Sequence, residues 1–379
     1  MINETDRRLA EKFSNSVVGA MSLGSKELFH SNVWAWVLEQ YPEFAETFFE
    51  GLENVHLNHV DIKREQGHRD LTIWRKSSEH TGGENVYVIE NKFKAIPTRH
   101  QLLDYQKKLC QTKKGCDFHG VLTGLSCPQW MNENNAELTD WRFVSYDDIL
   151  KGLENVLTKK AIGNSVAALR EYVEMTRTLV KLVKMFDKDV GETMLVSTNE
   201  WAHLMEEIRI DDLCKKMKAD QFVSYIEASD WYKKFSESTF LYGLKPYVIS
   251  DYTNNDALVD VGLRRTTLKE GKRVKEMTDE AIGIQIQGGM YKKFFMAKGS
   301  AGTVYEKACK LNWLSNQWMN ENQSGKGRRK DGRFKQYDQG GGYFFVYHDR
   351  KLTDVSFDKI GKCIKGDLAT LVQVFANQP

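Results

Sequence analysis

The chain is 379 residues long, enough for two domains of ordinary size, and its 41% hydrophobic and 28% charged residues exclude a largely disordered polypeptide. A formal net charge of +2 excludes a polycation that clings to nucleic acid indiscriminately, so any basic footprint must be local. No stretch approaches the ~20 apolar residues of a membrane span, the opening MINETDRRLAEKF has no apolar core before a cleavage site, and six scattered cysteines make no paired C-x-x-C. A cytoplasmic protein with reduced thiols and no membrane partner is therefore expected.

After an amphipathic opening, Lys26–Leu38 (KELFHSNVWAWVL) reads as a helix. A second helix is expected from Pro42 (PEFAETFFEGL), where proline suits the first turn. Val60–Ile62 and Asp70–Trp74 look extended. A Gly82-Gly83 loop then leads into Val86–Ile89, a β-rich run too short for a helix and so a hairpin-like partner for the strand before it. Thr98–Leu109 returns to helical spacing, followed by short strands at Gly120–Thr123 and Arg142–Val144 and a helix over Asp147–Val156. This order makes an α/β sheet domain, placed at residues 1–157.

Val166, Leu169, Val173, Val180 and Val183 recur with a seven-residue rhythm, the mark of a long helix packed on a neighbour, and residues 158–235 read as a helical connector. Residues 236–379 read as an α+β domain with strands at Ala257–Leu263, Ile282–Gln287 and Tyr291–Met296. Ile282, Ile284 and Ile286 alternate onto one face. A helix over Tyr305–Asn320, a strand at Tyr343–Tyr347 and a closing helix with Leu368, Leu371, Val372 and Phe375 on one stripe complete it. The one biased segment, Ser324–Lys335 (SGKGRRKDGRFK), is a basic loop in which Arg328, Arg329, Lys330 and Arg333 are candidate phosphate contacts, a charge run equally well explained as solvated surface.

Hydrolysing a phosphodiester near neutral pH needs a metal to lower the pKa of an attacking water and to neutralise phosphoryl charge. Magnesium does so with one or two carboxylates, so its signature is a few acids where ordinary packing would not put them. In Val86-Tyr87-Val88-Ile89-Glu90-Asn91-Lys92, side chains two apart share a face, which sets Glu90 and Lys92 directly after the apolar Val86 and Val88. Desolvating those charges is unfavourable unless they are paired or bind a metal, although a cross-strand ion pair would meet the same need. Asp70 heads the neighbouring strand. If the two strands pair, Asp70 and Glu90 converge on one cation and Lys92 orients the water or steadies the phosphoryl charge.

Asp70 followed by Glu90-Asn91-Lys92 at the end of an apolar strand, with a helix on either side, resembles the PD-(D/E)XK nuclease superfamily. The resemblance implies an α/β restriction-endonuclease-like αβββαβ core, Asp70 and Glu90 as metal ligands with the Asn91 carbonyl as a further one, and Lys92 as the catalytic lysine. Arg69 stands where the family name has proline, a position many members vary. Glu27, ahead of His30-Ser31, is similar to the acidic residue that approaches the metal from the first core helix in one bacterial branch; a first-turn acid favoured by the helix dipole would read the same way.

Gln101 and Tyr105 match the Q-x-x-x-Y of the RecB-type branch, where the pair contacts the nucleic-acid strand; Gln101 also completes a capping box from Thr98. Lys94 is counted with them as a nucleic-acid contact. The resemblance spans roughly residues 20–157 and implies a magnesium-dependent nuclease, with manganese as a substitute ion. DNA is favoured over RNA as substrate, a restriction or phage-defence role is expected, and a homodimer or protein partner is assigned to the C-terminal half. The rival reading is a non-cleaving nucleic-acid-binding or assembly module with a nuclease-like fold.

Overall fold

Five short strands build the first sheet, and each overlaps a run that the sequence reads as extended. The computed structural model describes residues 4–14, 18, 27–49, 60–76, 84–93, 96–97, 99–112, 117–131, 138–159, 164–194, 199–237, 243–253, 256–269, 275–311, 313–314, 334–352 and 355–376. It divides into two units, Met1–Gly191 with Glu200–Met217, and Glu192–Asn199 with Lys218–Pro379. Among the described residues no helix is long and apolar enough to cross a membrane.

In the first unit, helices α1 (Glu4–Ser14) and α2 (Glu27–Gln40) precede strands β1 (Val60–Arg64), β2 (Leu71–Lys76) and β3 (Glu84–Lys92). Helix α3 (Arg99–Thr112), strands β4 (Asp117–Gly124) and β5 (Trp141–Ser145), and helices α4 (Tyr146–Lys159) and α5 (Asn164–Val190) follow. The sheet runs β1-β2-β3-β4-β5, antiparallel through β3 and parallel beyond it. This is the expected mixed α/β order, with β2 and β3 paired as a hairpin would pair them. Pro42–Thr47 departs from expectation: it is a 3-10 helix. Phe44 donates to Tyr41 and Phe48 to Ala45 through three-residue bonds, and the tight turn buries Phe44, Ala45 and Phe48.

Strand alternation sets the two faces of β3. Val86 and Val88 pack with Leu102, Tyr105 and Leu109 of α3. Tyr87 meets Phe49, and Asn91 meets Tyr146 at the head of α4, so the odd-numbered row faces the other way. Gly120 of β4 leaves room for Trp141: a Cβ there would stand 2.4 Å from the indole. The heptad residues Val166, Leu169, Val173, Val180 and Val183 are all buried, and α5 packs against α1 and α4. Helix α6 (Glu200–Glu207) completes the first unit, and α7 (Asp211–Ala228) begins in it and ends in the second.

The second unit holds α8 (Asp230–Ser236), β6 (Lys245–Thr253), β7 (Asp256–Lys269), β8 (Lys275–Gln287), β9 (Met290–Lys298), α9 (Ala301–Lys310), β10 (Lys335–Gly340), β11 (Tyr343–Lys351) and α10 (Phe357–Ala376). Its six-stranded sheet runs β10-β11-β9-β8-β7-β6, antiparallel throughout. Val259, Val261, Ile282, Ile284, Ile286, Phe295 and Val346 share a core with Ile364, Leu368 and Leu371 of α10. On the opposite face, Asp260, Gln285, Lys292 and Asp349 stand in register on four consecutive strands.

Two strands were not foreseen, β6 and β10, the latter beginning at the Lys335 assigned to a loop. The helix expected over Tyr305–Asn320 instead runs from Ala301 to Lys310, because Ser300 and Thr303 form a reciprocal capping box that starts it earlier; Asn320 lies outside the described residues.

Candidate active site

Leu71 pairs with Ile89, which brings Asp70, one residue before β2, to the level of Glu90 near the end of β3. The Asn91 N–H donates to Asp70 Oδ2 at 2.7 Å, so the aspartate is tied to the very strand that carries the glutamate. Glu90 is almost wholly buried at the end of the Val86–Val88 row. Its Oε1 accepts an ion-paired bond from Lys92 Nζ at 2.8 Å and one from Gln101 Nε2 at 3.0 Å. Burying a carboxylate is costly without such partners. Two, one of them charged, hold it in one orientation.

Gln101 also donates to the Tyr105 hydroxyl at 2.8 Å, one turn along α3. Burial pushes the Tyr105 hydroxyl above its ordinary pKa, and the Glu90 charge adds to the shift. The phenol therefore stays protonated as a neutral neighbour of the acids. Thr98, the other half of the capping box that would have claimed Gln101, lies outside the described residues.

Behind the strand, Asn91 is fixed from the opposite side. Its Oδ1 accepts from the Tyr146 hydroxyl at 2.8 Å and from Thr123 Oγ1 at 3.4 Å. His30 is buried, its ring 3.6 Å from that of Phe93, and its Nδ1 lies 2.8 Å from the Tyr172 hydroxyl. That is a packing role.

The turn between β1 and β2 brings a further charge. Gln66–His68 forms a 3-10 turn with Glu65 and Gly67 in the left-handed region, and Arg69 leaves it in extended conformation with its side chain buried. The Arg69 Nε donates to Thr72 Oγ1 at 3.2 Å. Sequence reasoning noted Arg69 only as a missing proline and overlooked Thr72, Thr123 and Tyr146. None of these has a local pattern that marks it, since each acts on a residue of another element or turn.

Asp70, Glu90, Asn91, Lys92, Gln101 and Tyr105 thus lie together. Glu27 opens α2, but its side chain lies outside the described residues, as do Lys94, Arg328, Arg329, Lys330 and Arg333. If Asp70, Glu90 and the Asn91 backbone carbonyl hold a cation, as the resemblance implies, its protein donors are all hard oxygens. Among the described residues no cluster of three or more His, Cys, Asp or Glu side chains forms. Such a set fits a small divalent cation that keeps most of its waters and fits zinc poorly.

Residues 17–174 match the model of the PD-(D/E)XK nuclease superfamily. No curated protein and no solved structure matches the chain.

Proposed function

We propose, from the match of residues 17–174 to the PD-(D/E)XK nuclease superfamily, whose members are generally divalent-metal dependent, that the chain is a cytoplasmic, magnesium-dependent nuclease cutting DNA, as a restriction or phage-defence effector. The observation that supports it best is the tie between Asp70 and the Asn91 backbone beside a Glu90 held by Lys92 and Gln101. A bound cation supplies a more acidic water and a counter-charge for the phosphoryl oxygens.

Asp70 and Glu90 would hold that cation through carboxylate oxygens, with the Asn91 carbonyl as a third donor. Lys92 keeps an ammonium beside Glu90, placed to hold the attacking oxygen or to steady charge growing on the phosphoryl group. Gln101 fixes the Glu90 carboxylate, and Tyr105 presents a protonated hydroxyl beside it. Lys94 and the basic residues Arg328, Arg329, Lys330 and Arg333 are assigned to the nucleic-acid backbone, and the C-terminal unit to recognition of substrate, trigger or partner.

The test is cleavage of linear and circular DNA and of RNA in magnesium, manganese or EDTA, beside Asp70→Ala and Lys92→Ala. Metal-dependent cutting is expected, with both substitutions lowering it by about 10²-fold or more. Nucleic-acid binding without any cleavage would overturn the enzymatic reading in favour of a binding module.

A further inference from the structure

Arg69 carries a charge that the hydrolytic set of two acids and one lysine does not use. It is 7% exposed, and its guanidinium lies over Gly67, where a Cβ would come within 3.1 Å of Nη1 and 3.2 Å of Nη2. Gly67 is in the left-handed region at φ 62, so the turn both needs a glycine and uses its missing side chain to seat the arginine. Nε is anchored on Thr72, a buried residue that pairs with Val88 on the row leading to Glu90. Among the described residues Nη1 and Nη2 make no hydrogen bond or ion pair.

Burial lowers the guanidinium pKa, while Tyr105 and Glu90, close enough to act on it, raise it. Arginine stays a cation under such opposing influences. With most of the residue buried and only Nε bonded among the described residues, the guanidinium keeps Nη1 and Nη2 available for an incoming anion. The planar fork of a guanidinium matches two oxygens of one phosphate, and holding Nε in advance removes much of the entropy cost of making that contact.

Resting on the nuclease reading, we infer that Arg69 is a phosphate clamp: through Nη1 and Nη2 it binds the non-bridging oxygens of a backbone phosphate seated at the Asp70–Glu90–Lys92 site. It stands where the family name has proline. Glu90 and Tyr105 set its surroundings, and Thr72 and Gly67 set its position.

The experiment measures binding of a fluorescein-labelled 20-base-pair DNA in magnesium as a function of salt. A Lys92→Ala background stops cleavage and leaves both acids in place. Arg69→Met is expected to weaken binding about 10- to 100-fold, the size of a charge-assisted contact, and to lower the salt slope by about one. Arg69→Lys should recover the slope and only part of the affinity, because the charge returns without the fork.

Thr72→Val, which keeps the charge and frees Nε, should weaken binding with the slope intact; with Arg69→Lys it decides the matter if Arg69→Met does not fold. A folded Arg69→Met that binds with unchanged affinity and slope overturns the clamp while leaving the nuclease reading standing. DNA and RNA that the unaltered protein neither binds nor cuts would overturn both.

Discussion

Gln101 donates to the Oε1 of Glu90 across 3.0 Å, so a helix residue reaches back to hold a carboxylate on the strand beneath it. The same amide nitrogen reaches Tyr105, and the three side chains form one chain from α3 to the end of β3. Resemblance assigned Gln101 to the nucleic-acid strand. The contact with Glu90 adds a support for the acid itself, and the two roles differ in kinetics.

Replacing Gln101 with Met removes the bond to Glu90 and keeps the helix. If the glutamine serves the acid, kcat falls about 10-fold with KM nearly unchanged. A rise in KM at constant kcat would assign it to substrate contact instead. Steady-state kinetics on a short DNA duplex separate the outcomes.

Asn91→Ala removes the acceptor shared by two buried hydroxyls, Tyr146 and Thr123. A loss of about 1 to 3 kcal/mol is expected, visible as a lower melting temperature, with Tyr146→Phe costing less because it removes only one of those donors. Equal melting points for Asn91→Ala and the unaltered protein would refute the bond's structural role.

Asp260 lies on the second sheet beside Gln285 and is pushed up to about 7, mainly by burial, with Asp251 adding to the rise and Lys292 opposing it. The folded state therefore binds this proton more tightly than the unfolded chain, whose carboxyl titrates near 4. Stability from this group is greatest at low pH and falls as pH rises from about 4 through about 7. Asp260→Asn should raise the melting temperature at pH 8 by about 3 to 6 °C and bring no gain at pH 4. A gain that does not depend on pH would refute the assignment.

Lys293 and Asp367 form an ion pair of 3.0 Å between β9 and α10, both side chains almost fully buried, with the Tyr291 hydroxyl on the other aspartate oxygen. Truncating one partner strands the other charge. Lys293→Met and Asp367→Leu are each expected to cost about 3 to 5 kcal/mol, while the double variant recovers most of that loss. Additive losses in a denaturant-melt cycle would show that the two charges do not depend on each other.

Runs with a clear period were legible without the structure. Val86, Val88 and Glu90 of β3, the isoleucine row of β8, the heptads of α5, and Leu368 and Leu371 of the α10 stripe are buried as their spacing selects, because side-chain direction along one element follows from backbone geometry alone, while Val372 of that stripe is only half-buried. Strand β10 (KQYDQG) shows no apolar alternation and lies largely exposed, so only pairing with β11 makes it a strand. Pro42–Thr47 has helical text, but the burial of Phe44 and Phe48 selects a tighter turn.

Glu90 and Lys92 could be picked out because a charge on an apolar strand face is anomalous wherever the strand goes, and Asp70 because it heads the strand beside them. Their neighbours could not. Gln101 on Glu90, and Tyr146 and Thr123 on Asn91, join separate elements, and no periodicity along one element encodes how close another will come. Local spacing decides which face a residue takes; packing decides what stands opposite it.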